Sequence, residues 1–139
     1  MSLIVQKFGG TSVGSIERIE QVADKVAKFR QQGHGVVVVV SAMSGETNRL
    51  IGLAHEVHER PTPREMDVLV STGEQVTTAL LSMALNKRGV KAKSYNGSQV
   101  RILTDNAHTT KRTGAGDQRA FLRLTDGAIG GQHEGAAVL

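Results

Sequence analysis

Five consecutive valines, Val36 to Val40, constrain the fold of this chain more than any other feature. β-Branched residues favour strands, and a run that is apolar at both alternating positions is typical of a central strand covered on both faces. Upstream, a short apolar stretch at 4–8 leads through a glycine turn into a helical pattern. This order of strand, helix and strand predicts neighbouring parallel strands with a right-handed crossover, and therefore an open, mainly parallel α/β sheet flanked by helices.

Periodicity and turn residues predict the other elements. Apolar residues at helical spacing follow Ser15, a good N-cap, and Gly33 and Gly35 end the pattern. Lysines alternate with small residues over 90–95, which favours a strand near a sheet edge. We also expect helices over 48–58, 64–69 and 75–87, with Ser71–Glu74 as a break before the last, and a very short strand at 102–104.

The sequence changes in character after about residue 109. The last 30 residues contain six of the 16 glycines, and only 120–124 suggests a regular element. The Ala-Ala-Val-Leu ending is too short and too weakly apolar to complete a sheet. We therefore expect residues 1–109 to form part of one incomplete α/β domain, with 110–139 as an unassigned tail.

Composition excludes several classes of protein. The chain has no cysteine, which rules out disulfides, thiolate metal sites and thiol nucleophiles. Its net charge is +4, but the basic residues are scattered and aromatic residues make up only 3%, which argues against nucleic-acid binding. The N-terminus lacks a signal-peptide pattern, and no run approaches the ~18 apolar residues of a membrane helix. We expect a cytoplasmic protein that does not enter a membrane.

A candidate phosphate site follows the first strand. Lys7 supplies an ammonium, Gly9 and Gly10 let backbone approach an anion, and Thr11 and Ser12 add hydroxyls before a helix. The pattern is not a P-loop, in which the lysine follows the glycines, nor a dinucleotide-binding G-x-G-x-x-G. Local pattern alone leaves two interpretations open: a phosphate site, or an ordinary glycine turn with Lys7 in solvent.

Two further polar segments are candidates for ligand contact. Ser41 follows the valine strand, in a loop that reaches Thr47, and would lie near Lys7 if their strands are parallel neighbours. Glu74 is expected at a helix start, where the dipole would stabilise its charge. Helix capping and an ordinary first-turn glutamate are the simpler alternatives. His55 and His58 share a helical face but lack a third ligand, so no metal site is expected.

These segments together resemble a known family. VQKFGGTSV at 5–13, VVVVVSAM at 36–43, Thr47-Asn48 and STGE at 71–74 look like the N-terminal part of an aspartokinase, within the amino acid kinase family. The motifs follow the family's order and spacing over about residues 2–109. The resemblance implies an amino acid kinase-like fold and phosphoryl transfer from ATP, as its Mg²⁺ complex, to the β-carboxylate of L-aspartate. That reaction is the first step towards lysine, threonine and methionine.

The resemblance also implies residue roles. Lys7 would be the catalytic lysine that neutralises charge on the transferred phosphoryl group, and Glu74 would receive the α-ammonium of aspartate. The loop around the phosphates would comprise Lys7, Gly9, Gly10, Thr11 and Ser12, and the substrate contacts would be Ser41, Thr47 and Glu74.

The family's downstream features are absent from the sequence. The TLGRGGSD motif, the acidic segment that contacts nucleotide and metal, and the ACT regulatory domains have no counterpart in these 139 residues, and Gly114–Asp117 is too unlike that motif to replace it. We therefore expect little kinase activity from this chain alone. The alternative is a non-catalytic module that associates, through sheet edges or helix faces, with itself or with an intact kinase subunit. Homo-oligomer formation is left open by the sequence.

Overall fold

The computed structural model describes residues 2–97, 99 and 136–138. These residues form three helices and four strands in the order β1, α1, β2, α2, α3, β3 and β4. Their bounds are β1 Leu3–Phe8, α1 Ile16–Gln31, β2 Gly35–Val40, α2 Glu46–Val57, α3 Pro63–Lys87, β3 Ala92–Ser94 and β4 Ala136–Val138, with a 3-10 turn at Gly10–Val13 between β1 and α1.

The sheet is parallel throughout, with strand order β1-β2-β4-β3. β1 and β2 pair along their whole length, from Leu3 opposite Gly35 to Phe8 opposite Val40. The predicted α/β class, the parallel pairing of the first two strands and the edge position of the 92–94 strand are confirmed.

The valine run forms the centre of the sheet as predicted. Val36, Val38 and Val40 pack into a core with residues from α1 and α3. Val37 has no exposed surface either, although its side chain lies on the other face because successive side chains alternate. β2 is therefore covered on both faces. The partners of the three core valines are Val13, Ile19, Val22, Ala23, Val26, Leu81, Ala84, Leu85 and Val138.

The C-terminal ending and the 71–74 stretch differ from the sequence predictions, and both errors come from tertiary context. The Ala-Ala-Val ending does form a strand, because β2 and β3 leave a gap where β4 pairs on both sides. The 71–74 stretch does not break a helix, because α3 runs unbroken from Pro63 to Lys87. The Ser71 and Thr72 hydroxyls donate to carbonyls three residues earlier, at 2.8 and 2.6 Å, so their polar groups are satisfied inside the helix.

α3 is the most apolar helix of the described residues. By length and composition alone it could cross a membrane, a test that the core helix of a globular domain also passes. Its buried residues include Thr77, Leu81 and Leu85, and it packs against α1, α2 and β3. We therefore interpret α3 as a core helix. The predicted strand at 102–104, the element at 120–124, the segment Gly114–Asp117 and the boundary near residue 109 lie outside the described residues.

Candidate functional site

The carboxyl ends of β1 and β2 bring two predicted site segments to one edge of the sheet. Lys7 is opposite Val39 in the register, and the Ser41 amide donates to the Phe8 carbonyl at 3.2 Å. Lys7 is exposed and Ser41 half-buried. The carboxyl edge of a parallel sheet is where ligands of open α/β folds bind. We call this end of the molecule the carboxyl edge.

The glycine segment folds differently from expectation. Its glycines lead into a 3-10 turn, closed by the Ser12 amide donating to the Gly9 carbonyl at 2.9 Å, rather than directly into α1. The helix begins at Ile16, where the Ser15 hydroxyl accepts from the Arg18 amide at 3.3 Å as predicted. Thr11 is exposed and Ser12 half-buried on this turn, so the dipole of α1 does not act on them directly.

Close backbone packing explains why glycine occupies this turn. A Cβ on Gly10 would lie 2.9 Å from the Ala42 carbonyl oxygen, closer than side chains tolerate. A Cβ on Gly14 would lie 3.1 Å from the Ser44 Cβ. A Cβ on Gly9 would be 3.6 Å from the Lys7 Nζ, so the ammonium lies against the glycine backbone. The β1–α1 turn therefore rests on the loop that follows β2.

That second loop connects β2 to α2. Gly45 adopts a left-handed conformation with φ of 82°, at the N-cap of α2. α2 begins earlier than predicted, so Thr47 lies in its first turn and not in the loop. Glu46 accepts two hydrogen bonds from Arg49, at 2.9 and 2.7 Å, and these lower the pKa of the Glu46 carboxyl. The negative charge of Glu46 is thus already paired with Arg49.

α3 completes the arrangement through Gly73. A Cβ there would lie 3.0 Å from the Ala42 Cβ and 3.5 Å from the Glu46 Cγ, so α3 rests directly on the β2–α2 loop. Ala42 consequently contacts both the Gly10 turn and the Gly73 turn of α3. The three segments singled out from the sequence meet around this one buried alanine, and sequence reasoning did not identify Ala42. The sequence signal that could have pointed to this contact was Gly73, a glycine inside a helical pattern.

Glu74 follows Gly73 but is not at a helix start. It lies twelve positions into a long helix, so the predicted stabilisation by the N-terminal dipole is wrong. The residue is half-buried, and its Oε2 is buried without a hydrogen-bond partner among the described residues. A buried carboxylate oxygen in that state is costly unless a ligand supplies a donor.

Within residues 2–97 no group of three histidine, aspartate or glutamate side chains is placed to hold a metal ion. The carboxyl edge therefore offers an ammonium, backbone and hydroxyl groups, and one unpaired carboxylate oxygen. This set can bind an anion on one side and a cationic amine on the other.

The sequence of this chain is similar to those of known kinases. The amino acid kinase family model matches residues 2–127. The chain is 77% identical over 112 residues to an aspartokinase of Pseudomonas aeruginosa, a match that covers 81% of this chain and 27% of that protein. The chain thus spans about a quarter of that relative's length.

Two solved structures resemble the fold. The aspartate kinase of Synechocystis superposes with a TM-score of 0.74 at 42% identity, over 98% of this chain and 21% of that one. Aspartokinase III of E. coli, solved in complex with aspartate and ADP, superposes with a TM-score of 0.76 at 22% identity, over 99% of this chain and 40% of that one. The latter likeness concerns the fold alone.

Proposed function

Since the chain belongs to the amino acid kinase family, we propose that it forms the phosphate-binding and aspartate-binding part of an aspartate kinase. One observation carries the proposal: Ala42 contacts both the Gly10 turn and Gly73, next to Glu74, so the three segments lie together at the carboxyl edge. The similarity to aspartokinases supports the same substrate class.

In this proposal the β1–α1 turn binds the phosphates of ATP. Lys7 places its ammonium beside the transferred phosphoryl group, and Gly9 and Gly10 let the chain pass close to the phosphate oxygens. Thr11 and Ser12 add hydroxyl donors. Phosphoryl transfer depends mainly on positioning and on neutralising charge spread over the equatorial oxygens, which a fixed ammonium and backbone dipoles supply.

Aspartate would bind between the β2–α2 loop and α3. The unpaired Glu74 oxygen would accept from the α-ammonium, which resolves its buried, partnerless state. Ser41 and Thr47 would donate to the substrate's carboxylate oxygens. An oxygen of the β-carboxylate attacks the γ-phosphorus while the bond to the β–γ bridging oxygen breaks, giving an acyl phosphate and ADP. The protein need supply no nucleophile.

The Mg²⁺ ion would arrive with ATP as part of the substrate. The described residues offer a phosphate-binding turn but no cluster of metal ligands, so we assign no protein ligand to the ion. A cytoplasmic location and a place in lysine, threonine and methionine synthesis belong to the proposal. The chain would need further protein, matching the rest of the length of its relatives, to bind adenine and turn over.

Calorimetric titration of the 139-residue chain tests the two halves of the site separately. We expect Glu74→Gln to weaken L-aspartate binding about 10- to 100-fold, as for loss of a charged hydrogen bond, without changing the affinity for a non-hydrolysable MgATP analogue. Lys7→Ala should weaken binding of the MgATP analogue without changing the affinity for L-aspartate. Lys93→Ala, which removes an exposed lysine on the edge strand β3, is the matched control.

Two results would contradict the proposal. One is a folded chain that binds neither ligand, which would favour the non-catalytic association module. The other is a Lys93→Ala variant that loses affinity for both ligands as strongly as the two site variants lose theirs. Full turnover in a hydroxamate assay with aspartate and MgATP would separately refute the expectation that the chain alone is nearly inactive.

A further inference from the structure

Ala42 is packed between two glycines that belong to different segments. Its carbonyl oxygen would lie 2.9 Å from a Cβ on Gly10, and its own Cβ would lie 3.0 Å from a Cβ on Gly73. Ala42 is only 5% exposed. It therefore contacts the β1–α1 turn with its backbone and α3 with its side chain, and a single alanine bridges the gap between the two segments.

The glycine at position 73 is explained by this close approach. Gly73 lies inside α3, where the backbone is helical and glycine is a poor helix former. A Cβ there would meet Glu46 Cγ at 3.5 Å and Leu50 Cδ1 at 3.6 Å, which are ordinary contacts. Only the contact with Ala42 is tighter than side chains normally make. The Ala42 methyl group therefore decides how near α3 comes to the β2–α2 loop.

The groups proposed to hold the substrate are direct neighbours of this contact. Glu74, proposed for the α-ammonium, follows Gly73, and Ser41 precedes Ala42. Gly10 belongs to the turn proposed for the phosphates. The substrate has to span the distance from Glu74 to the transferred phosphoryl group. That distance is set through Ala42, and close-packed interiors resist changes in such spacings.

Amino diacids differ in the span that they can cover. L-Aspartate has one methylene between its α-carbon and the attacking carboxylate, whereas L-glutamate has two. The second methylene lengthens the chain by one carbon–carbon bond, ~1.5 Å. A misplacement of about 1 Å can cost about 10²-fold in a reaction that depends on positioning. A site of fixed width therefore makes the longer acid bend or leave one end unbound.

We propose, on the basis of the function proposed above, that Ala42 and Gly73 determine the length of the amino diacid that this site accepts. We call their contact the Ala42–Gly73 spacer. Both are positioning residues, because they act by holding Glu74 at a fixed distance from the β1–α1 turn. The spacer selects the four-carbon acid over its five-carbon homologue.

The ratio of two affinities tests the spacer. In calorimetric titrations, the unaltered 139-residue chain should bind L-aspartate about 10- to 200-fold more tightly than L-glutamate, the range for one methylene in a fitted pocket. Gly73→Ala forces α3 and the loop apart by a few tenths of an ångström. This change should weaken aspartate binding and lower the ratio about threefold or more, since the wider site fits glutamate better. A general loss of stability would weaken both acids equally and leave the ratio unchanged.

An exchange of the two residues provides a rescue. Adding Ala42→Gly to Gly73→Ala moves the methyl group from one side of the contact to the other, and should restore the ratio to within about twofold. Ala42→Ser enlarges the contact from the loop side and should lower the ratio even if Gly73→Ala does not fold. Gly52→Ala is the matched control, because it adds the same methyl group to a helical glycine with nothing within 4 Å.

Three results would overturn the spacer. These are an unchanged ratio in a folded Gly73→Ala or Ala42→Ser chain, no recovery of the ratio in the exchanged variant, and an equal fall of the ratio in Gly52→Ala. Failure of the proposed function gives a different result, because the unaltered chain would then bind neither acid and the spacer would be refuted with it. Tight aspartate binding with a ratio that no variant alters would refute the spacer alone.

Discussion

The two ends of the sheet treat their charged groups in opposite ways. At the carboxyl edge, Lys7 is exposed and an oxygen of Glu74 is buried without a partner among the described residues. At the other end, where α3 finishes, Arg88 forms ion pairs with Glu20 and Asp24 of α1. One end thus keeps groups free for a ligand, and the other uses its charges to join two helices.

Arg88 is held on several sides within the fold. Its guanidinium also donates to the Ala84 carbonyl at 2.9 Å and to the Glu20 carbonyl at 3.2 Å. The hydrogen bonds to Asp24 and Glu20 raise the pKa of Arg88 and lower the pKa of both carboxyls. A small cavity of about 360 Å³ lies beside it, lined by Arg30, Gln31, Arg88, Gly89, Val90 and Lys91. The C-terminal ends of α1 and α3 lie at this region. Because the C-terminus of a helix carries partial negative charge, the basic residues here are explained without a ligand.

Stability and ligand binding are assigned to different ends of this fold. Groups left unpaired at the carboxyl edge cost stability, and such cost is typical of binding sites. At the opposite end, the ion pairs and hydrogen bonds of Arg88 offset part of this loss of stability. Removing an unpaired charged group at the carboxyl edge and removing a paired one at the opposite end should therefore have opposite effects on the free energy of unfolding.

The largest effect is expected where the three site segments pack together. Gly73→Val places a branched side chain where a Cβ alone would be 3.0 Å from the Ala42 Cβ, and should lower the free energy of unfolding by about 2–3 kcal/mol. Urea unfolding measures this. Gly52→Val is the matched control, because nothing lies within 4 Å of a Cβ at that exposed position on α2. Equal loss in both variants would show that close packing at Ala42 is unimportant.

A somewhat smaller loss is expected at the opposite end. Arg88→Met keeps much of the side-chain volume but removes the hydrogen bonds to two backbone carbonyls, which should cost about 1–2 kcal/mol. Aspartate binding should stay unchanged, since the cluster is remote from the carboxyl edge. A variant that unfolds normally but loses aspartate would break the proposed separation.

The same cluster should respond to acid. Because the folded pKa values of Glu20 and Asp24 are lowered, their contribution is present above the unfolded values near pH 4 and is lost as pH falls through the folded values. Stability measured by urea unfolding should thus decline below about pH 4.5, and Arg88→Met should flatten that decline. Identical pH profiles for the two proteins would argue against the ion pairs.

The smallest change is expected at Glu74, with the opposite sign. Glu74→Gln removes a carboxylate with a buried, unpaired oxygen, so stability should be unchanged or rise by about 0.5 kcal/mol while aspartate binding falls. Thermal unfolding with and without aspartate separates the two effects. A loss above 1 kcal/mol would show that Glu74 is a structural contact rather than a group held for a ligand.

Local sequence signals anticipated much of the architecture. The Val36–Val40 run, the Ser15 cap and the positions of β1, α1 and β3 follow from side-chain chemistry that acts over a few residues. Lys7 and Ser41 could be assigned to one edge because parallel strands have a fixed relation between direction and connection. The roles of these residues in catalysis stay predictions.

Other features depended on partners distant in sequence. Ser71–Glu74 has the composition of a helix break, yet the packing of Gly73 on Ala42 and Leu50 keeps α3 continuous. Ala136–Val138 has weak strand propensity and becomes a strand because β2 and β3 supply backbone partners on both sides.

Side-chain chemistry along the sequence predicts an α/β chain with a central valine strand and a glycine turn after a lysine. Three features arise only in the folded structure: the contact of Ala42 with both the turn and α3, the place of Glu74 within a helix with a buried oxygen that has no partner among the described residues, and the exposure of Val76 and Met83 on α3. The physical reason is range: propensity and periodicity act between near neighbours, whereas burial and close approach depend on which distant segments share the same space.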